Sequence, residues 1–82
     1  MDAITDLRKQ IDVIDDKIME LLNQRYNLVQ EIGHQKQTHK KAIMDSDREK
    51  LIFDKTSIFS HYPQIIEVYK TIISESRSLQ RK

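Results

Sequence analysis

The residues of most chemical interest are cations that interrupt an apolar helical pattern. Apolar side chains recur at spacings of three and four from Ile4 to Ile32, as on one face of a helix. Arg25 occupies the position that continues this series between Leu21 and Leu28. A guanidinium on a buried face is costly unless it is paired, and no acidic residue shares the face nearby. Arg25 therefore either extends to the solvent edge of the face or binds an anion.

A second cation and two polar residues extend this pattern. Lys36 follows Arg25 by eleven residues, which places it within about 20° of the same helix face and ~16 Å further along. Near the C-terminus, Ser76 and Gln80 continue another apolar series at helical spacing. These two residues either fray into solvent at a helix end or line the same polar pocket as the two cations.

Composition argues against several other chemistries. The chain has no Cys and three scattered His residues, so it cannot form disulfides and we expect no metal site. A net charge of +1 does not indicate a nucleic-acid partner, although His39, Lys40 and Lys41 form a small basic cluster. No apolar run approaches the ~18 residues of a membrane span, and the N-terminus has no targeting pattern. We therefore expect no membrane association and a cytoplasmic location.

Few residues in this sequence interrupt a helix. One Gly and one Pro in 82 residues favour a few long helices over many short strands. We expect a first helix that is capped by Asp2 or Thr5 and runs to about Thr38.

Two shorter helices should follow within the same domain. The second begins near Asp45 and Ser46, because Ser46 and Glu49 have the spacing of a capping box. The third begins near Pro63, which suits the first turn of a helix, and runs to about the C-terminus. Residues 1–82 are therefore predicted to form one all-α domain with one long and two shorter helices.

The length of the first helix predicts a dimer. About 34 residues at 1.5 Å each make a rod ~50 Å long, whereas a compact protein of this size is about 30 Å across. Two helices of ~15–18 residues cannot cover such a rod within one chain, and a chain this short has a marginal core alone. We expect an intertwined helical homodimer. A continuous coiled coil is the alternative, although Arg25 and Gln35 interrupt its seam.

Motifs along essentially the whole chain resemble the all-α class of chorismate mutases. Four segments resemble the long first helix of that family: Leu7–Asp12, Ile14–Asp15, Leu21–Arg25 and Ile32–Lys36. Asp45–Glu49 looks like its D-x-x-R-E segment. Ile72–Ser76 with Gln80 resembles its I-x-x-S-x-x-x-Q ending. The resemblance implies three helices per chain and a dimer with two equivalent sites. It also implies conversion of chorismate into prephenate in aromatic amino-acid biosynthesis, without metal or organic cofactor.

The resemblance further implies which residues bind the substrate. The family's positions fall on Arg8, Arg25, Lys36, Asp45, Arg48, Glu49, Ser76 and Gln80. Arg25 and the Arg8 of the opposite subunit would hold the two carboxylates of chorismate. Lys36 and Gln80 would donate to the ether oxygen whose bond breaks.

The acidic positions are expected to bind the other end of the substrate. Glu49, with the Asp45 region, would accept a hydrogen bond from the ring hydroxyl, while Arg48 and Ser76 would make supporting contacts. Asp45 has the alternative role of a helix cap. The catalytic set is therefore expected to be Lys36, Gln80, Arg25 and Glu49.

Two other functions remain open from the sequence. Isochorismate pyruvate lyases share this fold and much of this pocket, although the Arg48-Glu49 pair looks more like a mutase. A noncatalytic helical dimerisation module is the alternative from a different class.

Overall fold

The chain folds into three α-helices. A computed structural model describes the backbone of residues 2–39 and 46–81 and the side chains of 2–35 and 46–80. The elements are helix α1 (Ala3–His39), helix α2 (Ser46–Lys55), a 3₁₀ turn (Thr56–Ile58) and helix α3 (Tyr62–Arg81). The described residues contain no strand, so the predicted all-α class with one long and two shorter helices is confirmed.

Helix α1 begins at an acidic cap. The backbone N–H of Thr5 donates to Oδ1 of Asp2 over 2.6 Å, which satisfies one of the free amides of the first turn. This hydrogen bond lowers the pKa of Asp2 from its ordinary value. The predicted cap therefore lies at Asp2 and not at Thr5. The 37 residues of α1 account for the 57 Å length of the molecule at ~1.5 Å per residue.

A short 3₁₀ turn ends α2 and redirects the chain. The hydroxyl of Thr56 donates to the carbonyl oxygen of Phe53 over 2.7 Å, and Thr56 is buried. The N–H of Phe59 then donates to the Thr56 carbonyl oxygen over 3.0 Å, which closes the turn. Helix α3 starts at Tyr62, and Pro63 lies in its first turn as predicted.

Helix α3 packs against the C-terminal half of α1. The buried apolar residues of the described chain are Val29, Ile72 and Ile73, so the core joins these two helices. Gly33 permits their close approach: a Cβ atom at this position would lie 2.8 Å from both the Cα atom and the carbonyl oxygen of Gln80. The C-terminal ends of α1 and α3 therefore lie almost in backbone contact.

Among the described residues, no element covers the N-terminal half of α1. Its apolar face is about half exposed at each position, as shown by Ile4, Leu7, Ile11, Ile14, Ile18 and Leu21. No helix in the described part of the chain has both the length and the apolar character that a membrane crossing requires. The exposed apolar residues from Ile4 to Leu21 form the open face of α1.

Candidate functional site

A cavity of about 270 Å³ lies where the C-terminal half of α1 meets α2 and α3. Its apolar walls are Leu28, Val29, Ile32, Ile52 and Ile73, and its polar residues are Arg25, Arg48, Glu49, Ser76, Arg77 and Gln80. Its volume is close to the lower end of the ~300–1,000 Å³ range of small-molecule sites. The structure thus brings five of the predicted site residues, from three helices, to one cavity of metabolite size.

Arg25 is fixed by a contact with α3. Its Nη1 donates to the hydroxyl oxygen of Ser76 over 2.6 Å. That hydroxyl in turn donates to the carbonyl oxygen of Ile72, also over 2.6 Å. Ser76 is only 4 % exposed, so it does not belong to a frayed helix end. Ser76 and Arg25 therefore line one polar pocket, while the binding of an anion by Arg25 stays a prediction.

Glu49 is held by a residue that the sequence analysis missed. Arg77 contacts the carboxylate at two points: its Nε donates to Oε2 over 3.0 Å, and a terminal nitrogen donates to Oε1. The side chains of Glu49 and Arg77 are 15 % and 32 % exposed. A signal was available, because Arg77 follows the core residue Ile73 by four positions and so shares its helix face.

The charges around the cavity favour an anionic ligand. Its described lining contains the guanidinium groups of Arg25, Arg48 and Arg77 against the single carboxylate of Glu49. Three guanidinium groups against one carboxylate give the described lining a net positive charge, which attracts an anion. No three His, Cys, Asp or Glu side chains among the described residues gather in a group that would hold a metal ion.

Three predicted site residues are not among the described residues that line this cavity. Arg8 lies on the exposed N-terminal half of α1, about 25 Å along the helix from Arg25. Lys36 belongs to α1, but its side chain lies outside the described residues, and so does all of Asp45. Their places in the site stay predictions.

Arg25 also lines another, largely apolar cavity. This apolar groove has a volume of about 420 Å³ and lies between α1 and α3. Its lining includes Ile18, Leu21, Ile65 and Val68, of which Leu21 and Val68 are about 60 % exposed. The groove therefore continues the open face of α1 up to Arg25.

Fold and site together define a class of protein: a small three-helix chain with a cationic cavity for a small anionic molecule. Comparison with known proteins gives the family. The chain belongs to the chorismate mutase type II family, which matches residues 7–81. This match confirms the resemblance drawn from the motifs.

Curated relatives include both bifunctional and single-function proteins. The bifunctional chorismate mutase/prephenate dehydratase of Aquifex aeolicus is 36 % identical over 90 positions, covering all of this chain and 25 % of that protein. The bifunctional chorismate mutase/prephenate dehydratase of Buchnera aphidicola is 40 % identical, covering 92 % of this chain and 21 % of that protein. The chorismate mutase of Methanocaldococcus jannaschii is 26 % identical, covering all of this chain and 88 % of that protein. The chain thus spans about a quarter of the bifunctional relatives. No solved structure is significantly similar to it.

Proposed function

We propose that this chain is a chorismate mutase, an isomerase that rearranges chorismate to prephenate for aromatic amino-acid biosynthesis. The observation that carries the proposal is the convergence of Arg25, Arg48, Glu49, Ser76 and Gln80 on one small cavity. These are positions that match the family's substrate-binding residues. A family match over residues 7–81 supports the same reaction.

The reaction is an intramolecular [3,3] rearrangement, in which a carbon–oxygen bond breaks while a carbon–carbon bond forms. All atoms stay within one molecule, and no nucleophile is required. The protein must hold a flexible dianion in its diaxial, chair-like conformation and stabilise the charge that separates in the transition state. A cavity with excess positive charge and apolar walls suits both tasks.

Cationic and amide side chains donate hydrogen bonds to the carboxylates and to the ether oxygen. Arg25, held by Ser76, offers its guanidinium to one substrate carboxylate, where two-point hydrogen bonding is strong. Gln80, at the C-terminal end of the cavity, donates to the ether oxygen together with Lys36. Their hydrogen bonds strengthen as negative charge grows on that oxygen.

The acidic end of the cavity fixes the ring. Glu49 accepts a hydrogen bond from the ring hydroxyl while Arg77 holds its carboxylate. Arg48 lies next to Glu49 in the cavity lining and makes supporting contacts. Asp45 is assigned to the same end of the substrate.

We also infer that the chain works as an intertwined homodimer. The chain exposes 6922 Å², whereas about 5,200 Å² is expected for a compact monomer of its mass, an excess of about 1,700 Å² per chain. Two chains that bury such an excess reach the ~2,000–5,000 Å² typical of obligate dimers. The open face of α1 and the apolar groove supply the apolar area for this contact.

The dimer also completes the site. The apolar groove leads from the open face of α1 to Arg25, which lines both cavities. A partner's α1 packed along this route carries its Arg8 toward the cavity, where it binds the second carboxylate. Within one chain, Arg8 and Arg25 lie about 25 Å apart, too far to hold one small molecule.

The test of the function is the loss of chorismate's ultraviolet absorbance on mixing with purified protein, followed by product identification. We expect prephenate. Release of pyruvate from isochorismate would instead establish the lyase, and no turnover of either compound would leave a noncatalytic dimerisation module.

The dimer is tested by sedimentation of the purified chain over a range of concentrations. Sedimentation should show a dimer. Because folding and association are coupled, the midpoint of unfolding, measured in a separate denaturation experiment, should rise with protein concentration. A folded, compact monomer at micromolar concentration would contradict the proposal.

A further inference from the structure

We propose that Arg77 is a positioning residue for the hydroxyl-binding end of the cavity, acting on the substrate through Glu49. The inference rests on the proposed mutase function. Glu49 on α2 and Arg77 on α3 are 28 positions apart, and both line the cavity. Two hydrogen bonds join the same guanidinium to the two carboxylate oxygens.

The two-point contact determines the orientation of the carboxylate. Each oxygen of Glu49 accepts one N–H from Arg77, and each oxygen can accept more than one hydrogen bond. The pair therefore leaves acceptor capacity for a substrate hydroxyl. It also prevents the carboxylate from rotating, because a planar guanidinium and a planar carboxylate bind in a fixed geometry.

Arg77 has a second effect, which is electrostatic. A bare carboxylate in a cavity that takes a dianion repels the ligand, and the repulsion is strong because Glu49 is only 15 % exposed. The guanidinium of Arg77 offsets that charge. Arg77 thus allows an anionic residue to recognise a hydroxyl inside a site built for anions.

The neighbouring residue links this pair to the carboxylate-binding end. Ser76 holds Arg25 of α1, while Arg77 holds Glu49 of α2. Consecutive residues of α3 therefore position the guanidinium that binds a carboxylate and the carboxylate that binds the hydroxyl. The distance between the two ends of the substrate site is set by a single helix.

The experiment measures whether Arg77 acts through Glu49. Arg77→Met keeps the aliphatic stem and removes the contact, and we expect kcat/KM for chorismate to fall about tenfold to a hundredfold. KM should rise more than kcat falls, because repulsion of the dianion acts on the bound substrate as well. In a Glu49→Gln background the same change should cost less than about threefold, because the negative charge and the two-point contact are already absent and a single amide oxygen remains to accept from Arg77.

A matched control separates this effect from loss of a cation on α3. Lys70 pairs with Glu67 on the exposed face of the same helix, so Lys70→Met should leave kcat and KM unchanged. Arg77→Lys, which restores charge without the two-point contact, should recover part of the loss in KM. If Arg77→Met does not fold, Arg77→Lys with and without Glu49→Gln measures the same coupling.

The outcomes distinguish this inference from the proposed function. A wild-type protein without mutase activity overturns the proposed function, and the inference falls with it. With an active wild type, an equal loss from Arg77→Met in both backgrounds means that Arg77 acts on the substrate directly or through folding. That result, or wild-type kinetics in Arg77→Met, overturns the inference alone.

Discussion

The chemistry of the cavity depends on side chains that are held between helices before any ligand binds. Arg25 of α1 donates to Ser76, and Glu49 of α2 accepts from Arg77. Because both partners lie on α3, the binding groups lose side-chain freedom on folding and not on binding. The free energy of substrate binding is then available for orienting the substrate, which is the task that the proposed intramolecular rearrangement sets.

Gln80 and Lys36 are expected to act on the breaking carbon–oxygen bond. If they stabilise the ether oxygen mainly in the transition state, Gln80→Ala or Lys36→Ala should lower kcat by about tenfold to a hundredfold. Steady-state kinetics together with circular dichroism checks this, because helix content should persist. Wild-type turnover in Lys36→Ala would refute its role at the ether oxygen.

The polar residues that interrupt an apolar series were accessible from the sequence. Arg25 and Ser76 stand where a buried side chain was expected, and both line the cavity. Arg77 was missed because a long cation beside such a series usually lies in solvent. Its partner Glu49 is on another helix, and helical spacing within one segment cannot reveal a pair between segments.

Among the helices, the contact between Gly33 and Gln80 matters most for the site. Glycine inside a helix costs about 1 kcal/mol relative to alanine, yet here it allows α1 and α3 to touch through backbone atoms. Gln80 also lines the cavity. The close approach of the helices therefore sets the position of the Gln80 side chain.

Gly33→Ala should weaken both stability and catalysis. Alanine gains about 1 kcal/mol of helix propensity, but its Cβ would lie 2.8 Å from backbone atoms of Gln80, which cannot turn aside as a side chain can. We expect a net destabilisation of about 1–3 kcal/mol and a lower kcat, measured by urea unfolding and chorismate turnover. Asn27→Ala, at an exposed position of α1, is the control and should be neutral or stabilising. A fully active, more stable Gly33→Ala would show that the helices separate freely.

Helix boundaries could be predicted where a local signal exists. Asp2 caps α1 and Pro63 lies in the first turn of α3, both through interactions with their immediate neighbours. The 3₁₀ turn at Thr56–Ile58 was not predicted, because apolar residues continue through it. It depends on the burial of Thr56 and on its hydrogen bond to Phe53, and burial is set by the packing of α3.

For the molecule as a whole, shape and core size both indicate that one chain buries too little apolar surface by itself. The radius of gyration is 16.2 Å, against about 12 Å for a compact chain of this length. The buried apolar residues in the described part of the chain are Val29, Ile72 and Ile73. So small a core does not offset the conformational entropy lost by three helices. The length of α1 was sufficient to predict this imbalance, and the proposed homodimer would remove it.

A site shared between subunits can be tested by complementation. Arg8→Ala and Arg25→Ala homodimers should each be nearly inactive, because every pocket lacks one group that binds a carboxylate. When the two variants are unfolded together and refolded, about half of the dimers are mixed by random assortment. In a mixed dimer one pocket carries both substitutions, while the other combines the intact Arg25 of one chain with the intact Arg8 of the other. Roughly a quarter of wild-type activity should therefore return.

The refolding step is needed because intertwined subunits should exchange slowly, so simple mixing of the native variants serves as the control and should restore little activity. Mass spectrometry under native conditions measures the fraction of mixed dimers, and the recovered activity should scale with that fraction. A monomeric site makes the opposite prediction, since each chain would keep its own defect whatever its partner. Mixed dimers without activity would therefore assign Arg8 to its own chain, and the second carboxylate would need another cation.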